Sequence, residues 1–208
     1  MSAAGPVKVK ICGITRVEDA LDAARFGADA LGFNFWPKSK RYCPPEVAKE
    51  IISRLPPFVQ AVGVFVNQSR AEIHRVVALT GLHAVQLHGD ESPDFAAAMK
   101  RPVIKALRVE GKESLARMDD FQVAAFLLDT PTVGFGGSGQ TFDWKLARGA
   151  GKKAPVLLAG GLNPGNVAEA VKQVHPYGVD VASGVESAPG IKDPKKVRRF
   201  VAAAKETV

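Results

Sequence analysis

Short apolar runs alternate along the chain with longer segments whose apolar residues recur at helical spacing, and the pattern repeats eight times. The runs read as strands at 7–12, 30–35, 58–65, 84–88, 103–109, 125–130, 155–159 and 179–183. Helices are expected after each strand, for example at 18–26, 45–55, 70–79, 93–99 and 194–205, with Pro45 and Pro194 at first-turn positions. In the first of these, Ala20, Leu21, Ala24 and Phe26 form the expected apolar stripe, opposite Glu18, Asp19, Asp22 and Arg25.

Strand–helix alternation calls for a parallel sheet with helical crossovers. The 208 residues divide into eight units of 26, each enough for a short strand, a helix of about three turns and two tight connections. Eight units close a barrel. An open doubly wound sheet would place a phosphate-binding turn early, whereas here the glycine-rich turns come late. No linker or composition shift divides the chain, so residues 1–208 are expected to form a single-domain α/β (β/α)8 TIM barrel.

Composition narrows the function classes. The first ten residues lack the apolar stretch of a secretory signal, and no window of about 18 uninterrupted apolar residues occurs, so neither export nor a membrane span is expected. Two cysteines, Cys12 and Cys43, without a CxxC pair leave no disulfide framework and suit the reducing cytoplasm. The net charge of +7 favours anionic ligands or simply solubility. Its densest clusters, Lys38 to Arg41 and Lys195, Lys196, Arg198 and Arg199, carry no interleaved aromatics, and the second lies on an amphipathic helix, so no nucleic-acid partner is expected.

Three glycine-rich stretches follow the last three strands: Gly136-Gly137-Ser138-Gly139, Gly160-Gly161-Leu162-Asn163 and Ser183-Gly184-Val185-Glu186. Glycine lets backbone N–H groups approach a phosphate, and barrels often bind phosphate in the loops after strands seven and eight. Gly161, Ser183 and Gly184 are the expected phosphate contacts. Barrel active groups sit at strand C-terminal ends, which here carry Cys12, before Gly13 with its room for a ligand, and Asp129. A thiolate that takes a proton and a carboxylic acid that gives one permit isomerisation without metal or redox cofactor.

The segments Lys10-Ile-Cys-Gly-Ile-Thr15, Gly32-Phe-Asn-Phe-Trp-Pro-Lys-Ser-Lys-Arg-Tyr42, Val85-Gln-Leu-His-Gly-Asp-Glu91, Leu128-Asp-Thr130, Gly137-Ser-Gly139, Leu158-Ala-Gly-Gly-Leu162 and Val179-Asp-Val-Ala-Ser-Gly-Val-Glu186 together resemble the phosphoribosylanthranilate isomerases of tryptophan biosynthesis, from the first strand to the last. The resemblance implies an Amadori rearrangement of N-(5-phosphoribosyl)anthranilate, with Cys12 as general base, Asp129 as general acid and Arg41 holding the anthranilate carboxylate. It implies no cofactor, a small phosphorylated substrate as partner, and a monomer or homodimer. Gln86, His88, Gly137 and Asp180 complete the expected substrate contacts. Trp36 and Ala182 depart from the usual pattern, and Ala182 removes one phosphate-side hydroxyl.

Period-two alternation puts Lys10 one layer below Cys12 and Gln86 below His88. Asp180, on the strand that neighbours the first after closure, is expected to approach Lys10, whose ammonium would favour the Cys12 thiolate. Asp129 must be protonated when it acts, so burial or nearby negative charge is expected around it. Two other functions fit a similar barrel. A metal-dependent sugar-phosphate epimerase needs converging ligands, yet of His74, His83, His88 and His175 only His88 falls near a strand's C-terminal end. A non-catalytic phosphate-binding barrel would leave Cys12, Asp129 and Arg41 unused. Cys43, in the loop after the second strand, reads as an ordinary loop thiol.

Overall fold

The computed structural model describes residues 6–130, 143–152 and 154–207. Eight parallel strands close a barrel in chain order: β1 (Lys8–Cys12), β2 (Ala30–Asn34), β3 (Gln60–Phe65), β4 (Ala84–Leu87), β5 (Val103–Arg108), β6 (Ala125–Asp129), β7 (Val156–Leu158) and β8 (Gly178–Val181). Closure between first and last pairs Lys8 with Gly178, Val9 with Val179, Lys10 with Asp180 and Ile11 with Val181. The expected third strand starts two residues late. Pro56 and Pro57 turn the chain, with Val59 N–H donating to the Pro56 carbonyl, and this leaves Phe58 91% exposed.

Alternation along each strand sorts the core into two layers. Val9, Ile11, Leu31, Phe33, Val85, Leu87, Phe126, Leu128 and Val179 belong to the larger apolar core, which includes the inner faces of the helices. Ala30, Val62, Ala84, Ile104, Ala106, Ala125, Leu127, Leu157 and Ala159 form a smaller, separate cluster that fills the barrel. Lys10, Gln86 and Asp180 share the parity of those inner positions, which brings polar side chains into the barrel beneath its mouth.

The helices are α1 (Val17–Arg25), α2 (Pro45–Ile52), α3 (Arg70–Thr80), α4 (Pro93–Ala97), α5 (Lys112–Ala116), α6 (Val167–Val174) and α7 (Pro194–Lys205). Proline occupies the first turn of α2, α4 and α7; Ser69 and Ser92 cap α3 and α4, and Asp193 caps α7 by accepting the Lys195 and Lys196 N–H groups. The face expected for α1 is rotated in the structure: Asp19, Ala20 and Ala23 are buried and Leu21 is exposed. Asp19 turns inward because it accepts the Lys192 backbone N–H at 3.0 Å.

The connections after β5, β6 and β8 depart from a plain helix, the first by adding a 3-10 turn (Arg117–Asp120) to α5. Among the described residues after β6 there are only 3-10 turns, Trp144–Ala147 and Ala150–Lys152, because Gly149 and Gly151 interrupt any longer run. After β8, a 3-10 turn (Ser183–Val185) leads into a hairpin of β9 (Glu186–Ala188) and β10 (Ile191–Lys192), which folds back over the barrel mouth before α7. The basic cluster of α7 lies on its exposed side, while Val197, Phe200, Val201 and Ala204 are buried. No described helix is long and apolar enough to cross a membrane.

Candidate active site

Strand ends supply most of one cavity at the C-terminal mouth, lined among others by Cys12, Arg41, Gln86, His88, Asp129, Gly161, Asp180 and Ser183. Below it, Lys10 Nζ lies 2.8 Å from Asp180 Oδ1, the pairing expected from barrel closure. Burial draws the lysine down, but Asp180 and the Cys12 thiol outweigh it and hold Lys10 above the ordinary lysine range. For Cys12 the balance falls the other way. Burial pushes the thiol up, and the opposing pull of Lys10 and Lys192 does not cancel it. The ammonium therefore eases ionisation as expected, without bringing the thiol below its ordinary range.

Glycine makes the space in which these groups meet. A Cβ on Gly32 would stand 2.8 Å from Cys12 Sγ and 3.1 Å from Lys10 Nζ. The space at Gly13 is used differently from expectation: it receives the Arg41 side chain, whose Cδ lies 2.6 Å from where a Cβ would be. Arg41 donates from Nε and Nη2 to Glu186 at 2.8 and 2.7 Å. That hydrogen-bonded pairing raises the Arg41 pKa. Burial alone would raise the Glu186 carboxyl, but Arg41 and Lys192 hold it below the usual carboxylate range.

Across the mouth, Gln86 Nε2 and His88 Nδ1 are 2.8 Å apart, and His88 Nε2 lies 3.4 Å from Asp129 Oδ2. With Gln86 donating, His88 carries its proton on Nε2 and directs it at Asp129. The other carboxylate oxygen accepts the Thr130 N–H at 2.8 Å. Of the burial or nearby negative charge anticipated around Asp129, burial is what the structure supplies: its side chain is 13% exposed, and its polar neighbours among the described residues are a backbone donor and an imidazole. Gln86 Oε1 is buried and has no hydrogen-bond partner among the described residues.

A model of the family described as N-(5'-phosphoribosyl)anthranilate (PRA) isomerase matches residues 9–203. The chain belongs to this family. A relative from Pelobacter propionicus, named N-(5'-phosphoribosyl)anthranilate isomerase, is 55% identical over 203 residues, covering 97% of each chain. The crystal structure of phosphoribosyl anthranilate isomerase from Thermotoga maritima superposes with a TM-score of 0.90 at 47% identity, covering 96% of this chain and 99% of that one. A second crystal structure, of phosphoribosyl anthranilate isomerase in complex with reduced 1-(o-carboxyphenylamino)-1-deoxyribulose 5-phosphate, gives 0.86 at 44% identity with the same coverage.

Within this family member, Cys12, Asp129, Arg41, Gln86, His88, Gly161, Asp180 and Ser183 converge on one cavity, as the sequence suggested. Gly184, the other expected phosphate contact, does not line that cavity; its missing side chain makes room for the Leu162 carbonyl where two loops pack. Gly137 lies outside the described residues. Cys43 is fully buried and its thiol is pushed up to about 12 by burial, which makes it inert. Sequence reasoning missed Glu186 and Lys192 as site-forming charges. A signal existed, since Pro189-Gly190 marks a tight turn and a hairpin across it pairs position 186 with 192.

Proposed function

We propose that this chain isomerises N-(5-phosphoribosyl)anthranilate to 1-(2-carboxyphenylamino)-1-deoxyribulose 5-phosphate, a step of tryptophan biosynthesis, by acid–base catalysis from Asp129 and Cys12. The observation that carries the reading is the convergence of a thiol and a carboxyl from strands β1 and β6 on one cavity that also holds Arg41, Gly161 and Ser183. The family membership supports it.

Asp129 gives its proton to the furanose ring oxygen as the C1–O bond breaks, and the anthranilate nitrogen lone pair closes a C=N bond to C1. The Cys12 thiolate then takes the C2 proton; the C–H electron pair forms C1=C2 and the C=N pair returns to nitrogen, giving an enolamine. Loss of the enol O–H proton and protonation at C1 complete the ketone. Lys10 keeps a positive charge beside the thiolate while the proton is drawn off. Arg41 takes the anthranilate carboxylate, to which a planar guanidinium is matched. The turn at Gly160 and Gly161 and the segment at Ser183 take the phosphate.

Loss of phosphoribosylanthranilate fluorescence, followed with the purified chain, tests the assignment. Cys12→Ala and Asp129→Asn are expected to keep the native circular dichroism spectrum and to lower turnover by about 10²–10⁴-fold each. Wild-type turnover in either variant would remove that residue from its role, and abolition of activity by a chelator would point to a metal-dependent reaction instead.

A further inference from the structure

Arg41 enters the cavity with one side already occupied. Nε and Nη2 are bound to both oxygens of Glu186, which sits on the hairpin 145 residues away in sequence. A guanidinium has five N–H groups in a rigid plane, so this pairing leaves the Nη1/Nη2 edge for a ligand. The pairing is itself anchored. Glu186 Oε1 also accepts from Lys192 Nζ at 2.9 Å and from the Gly190 N–H at 3.3 Å, and the Lys196 ammonium donates to the Glu186 carbonyl at 2.7 Å. Lys192, buried, goes on to donate to the Cys12 carbonyl at 2.6 Å and the Ala182 carbonyl at 3.2 Å.

Two cations share one anion here, so Glu186 cancels one charge and leaves a net positive charge beside Cys12 for an incoming anion. Lys192 is enclosed by its three oxygen acceptors, whereas Arg41 lines the cavity. The remaining guanidinium edge therefore carries that charge to the ligand. Its stem lies against Gly13, where a side chain would collide with it.

We propose that Glu186 is a positioning residue for carboxylate recognition: by holding one edge of Arg41 from the hairpin, it presents the other edge as a preformed receptor for the aryl carboxylate of the substrate. The inference rests on the reading that Arg41 takes that carboxylate. Fixing a long, rotamer-rich side chain before the ligand arrives improves affinity by removing an ordering penalty, an effect of about tenfold for one such side chain. It acts only on ligands that possess the carboxylate.

The test uses two probes: reduced 1-(o-carboxyphenylamino)-1-deoxyribulose 5-phosphate, and the same molecule without its carboxyl group. Calorimetric Kd values give the carboxyl preference as a ratio. In Glu186→Gln that ratio is expected to fall about tenfold, entirely through the carboxylated probe, with KM for the substrate rising more than kcat falls. Glu186→Asp, which keeps the charge, is expected to retain more of the ratio. Because Glu186→Gln leaves Lys192 buried beside a neutral amide, Glu186→Gln/Lys192→Met is measured alongside with the same expectation. An unchanged ratio, or equal losses for both probes, overturns the proposal. Arg41→Lys separates the two levels: if it too leaves the ratio unchanged, the carboxylate role of Arg41 fails; if it lowers the ratio while the Glu186 variants do not, only the positioning role of Glu186 fails.

Discussion

Replacing Lys10 with methionine removes one charge from beneath the active-site mouth while keeping an unbranched side chain in the barrel. Lys10 is 1% exposed and its ammonium is 2.8 Å from the Asp180 carboxylate, so the variant strands a buried anion. Breaking one side of such a pair destabilises by about 3–5 kcal/mol, and at roughly 2–4 °C per kcal/mol for a domain of this size Tm falls by about 6–20 °C. Lys10→Met/Asp180→Asn removes both charges and is expected to recover most of that loss, to within about 1 kcal/mol of wild type. Urea unfolding followed by circular dichroism measures all three proteins. The pH dependence has a definite sign: the folded-state pKa of Lys10 is raised, so its contribution is complete below the ordinary lysine range and fades only as pH rises through the folded value. The contribution of Lys10 to the wild type is therefore constant across neutral pH. Lys10 also exerts the largest downward pull on Cys12, so the variant's thiol should ionise at higher pH, read as an upward-shifted midpoint in iodoacetamide reactivity. Buried Cys43, with its thiol near 12, does not obscure that signal. A double variant no more stable than the single one, or an unmoved alkylation midpoint, would refute the reasoning.

Two further outcomes follow from local geometry. Gly32→Ala places a methyl group 2.8 Å from Cys12 Sγ, and the displaced thiol should lower turnover by about 10²-fold in a protein that still folds; undiminished turnover in the fluorescence assay would show that the thiol has room to spare. Asp29 accepts the Val9 N–H at 2.9 Å and pairs with Lys205 at 2.9 Å and Lys8 at 3.3 Å, tying the first strand to the last helix. Burial raises this carboxyl, but the Val9 N–H and the two lysines together hold it below the usual range. Asp29→Asn should reduce stability by about 1 kcal/mol at pH 7. Because a depressed carboxylate loses its stabilising effect as pH falls through its folded value, the gap should close below about pH 4; a gap that persists in acid would assign the effect to packing.

How far the site could be read in advance depended on whether backbone periodicity determines where a side chain goes. Lys10 and Cys12 are two residues apart on one strand, so both face inward, and barrel closure alone brings Asp180 beside Lys10. The same rule brings Gln86 and His88 together, and Asp129 joins them as an inward group at the top of β6. Arg41 obeys no such rule. It lies on a loop after β2, and whether its long side chain enters the mouth depends on a glycine just after β1 and an anion on a hairpin after β8. The rotation of α1 has the same origin: Asp19 looks like a solvent-facing charge until the Lys192 N–H arrives from the far end of the chain. Both misread features converge on the hairpin at 186–192, whose Glu186 and Lys192 resemble surface charges in sequence and become buried only when the strands close. The proposed acid and base are thus held by strand geometry, while Arg41, the proposed receptor for the substrate carboxylate, is held by a loop-borne charge network. Substitutions in that network should alter ligand preference before they alter the chemistry, the opposite order from substitutions at Cys12 or Asp129.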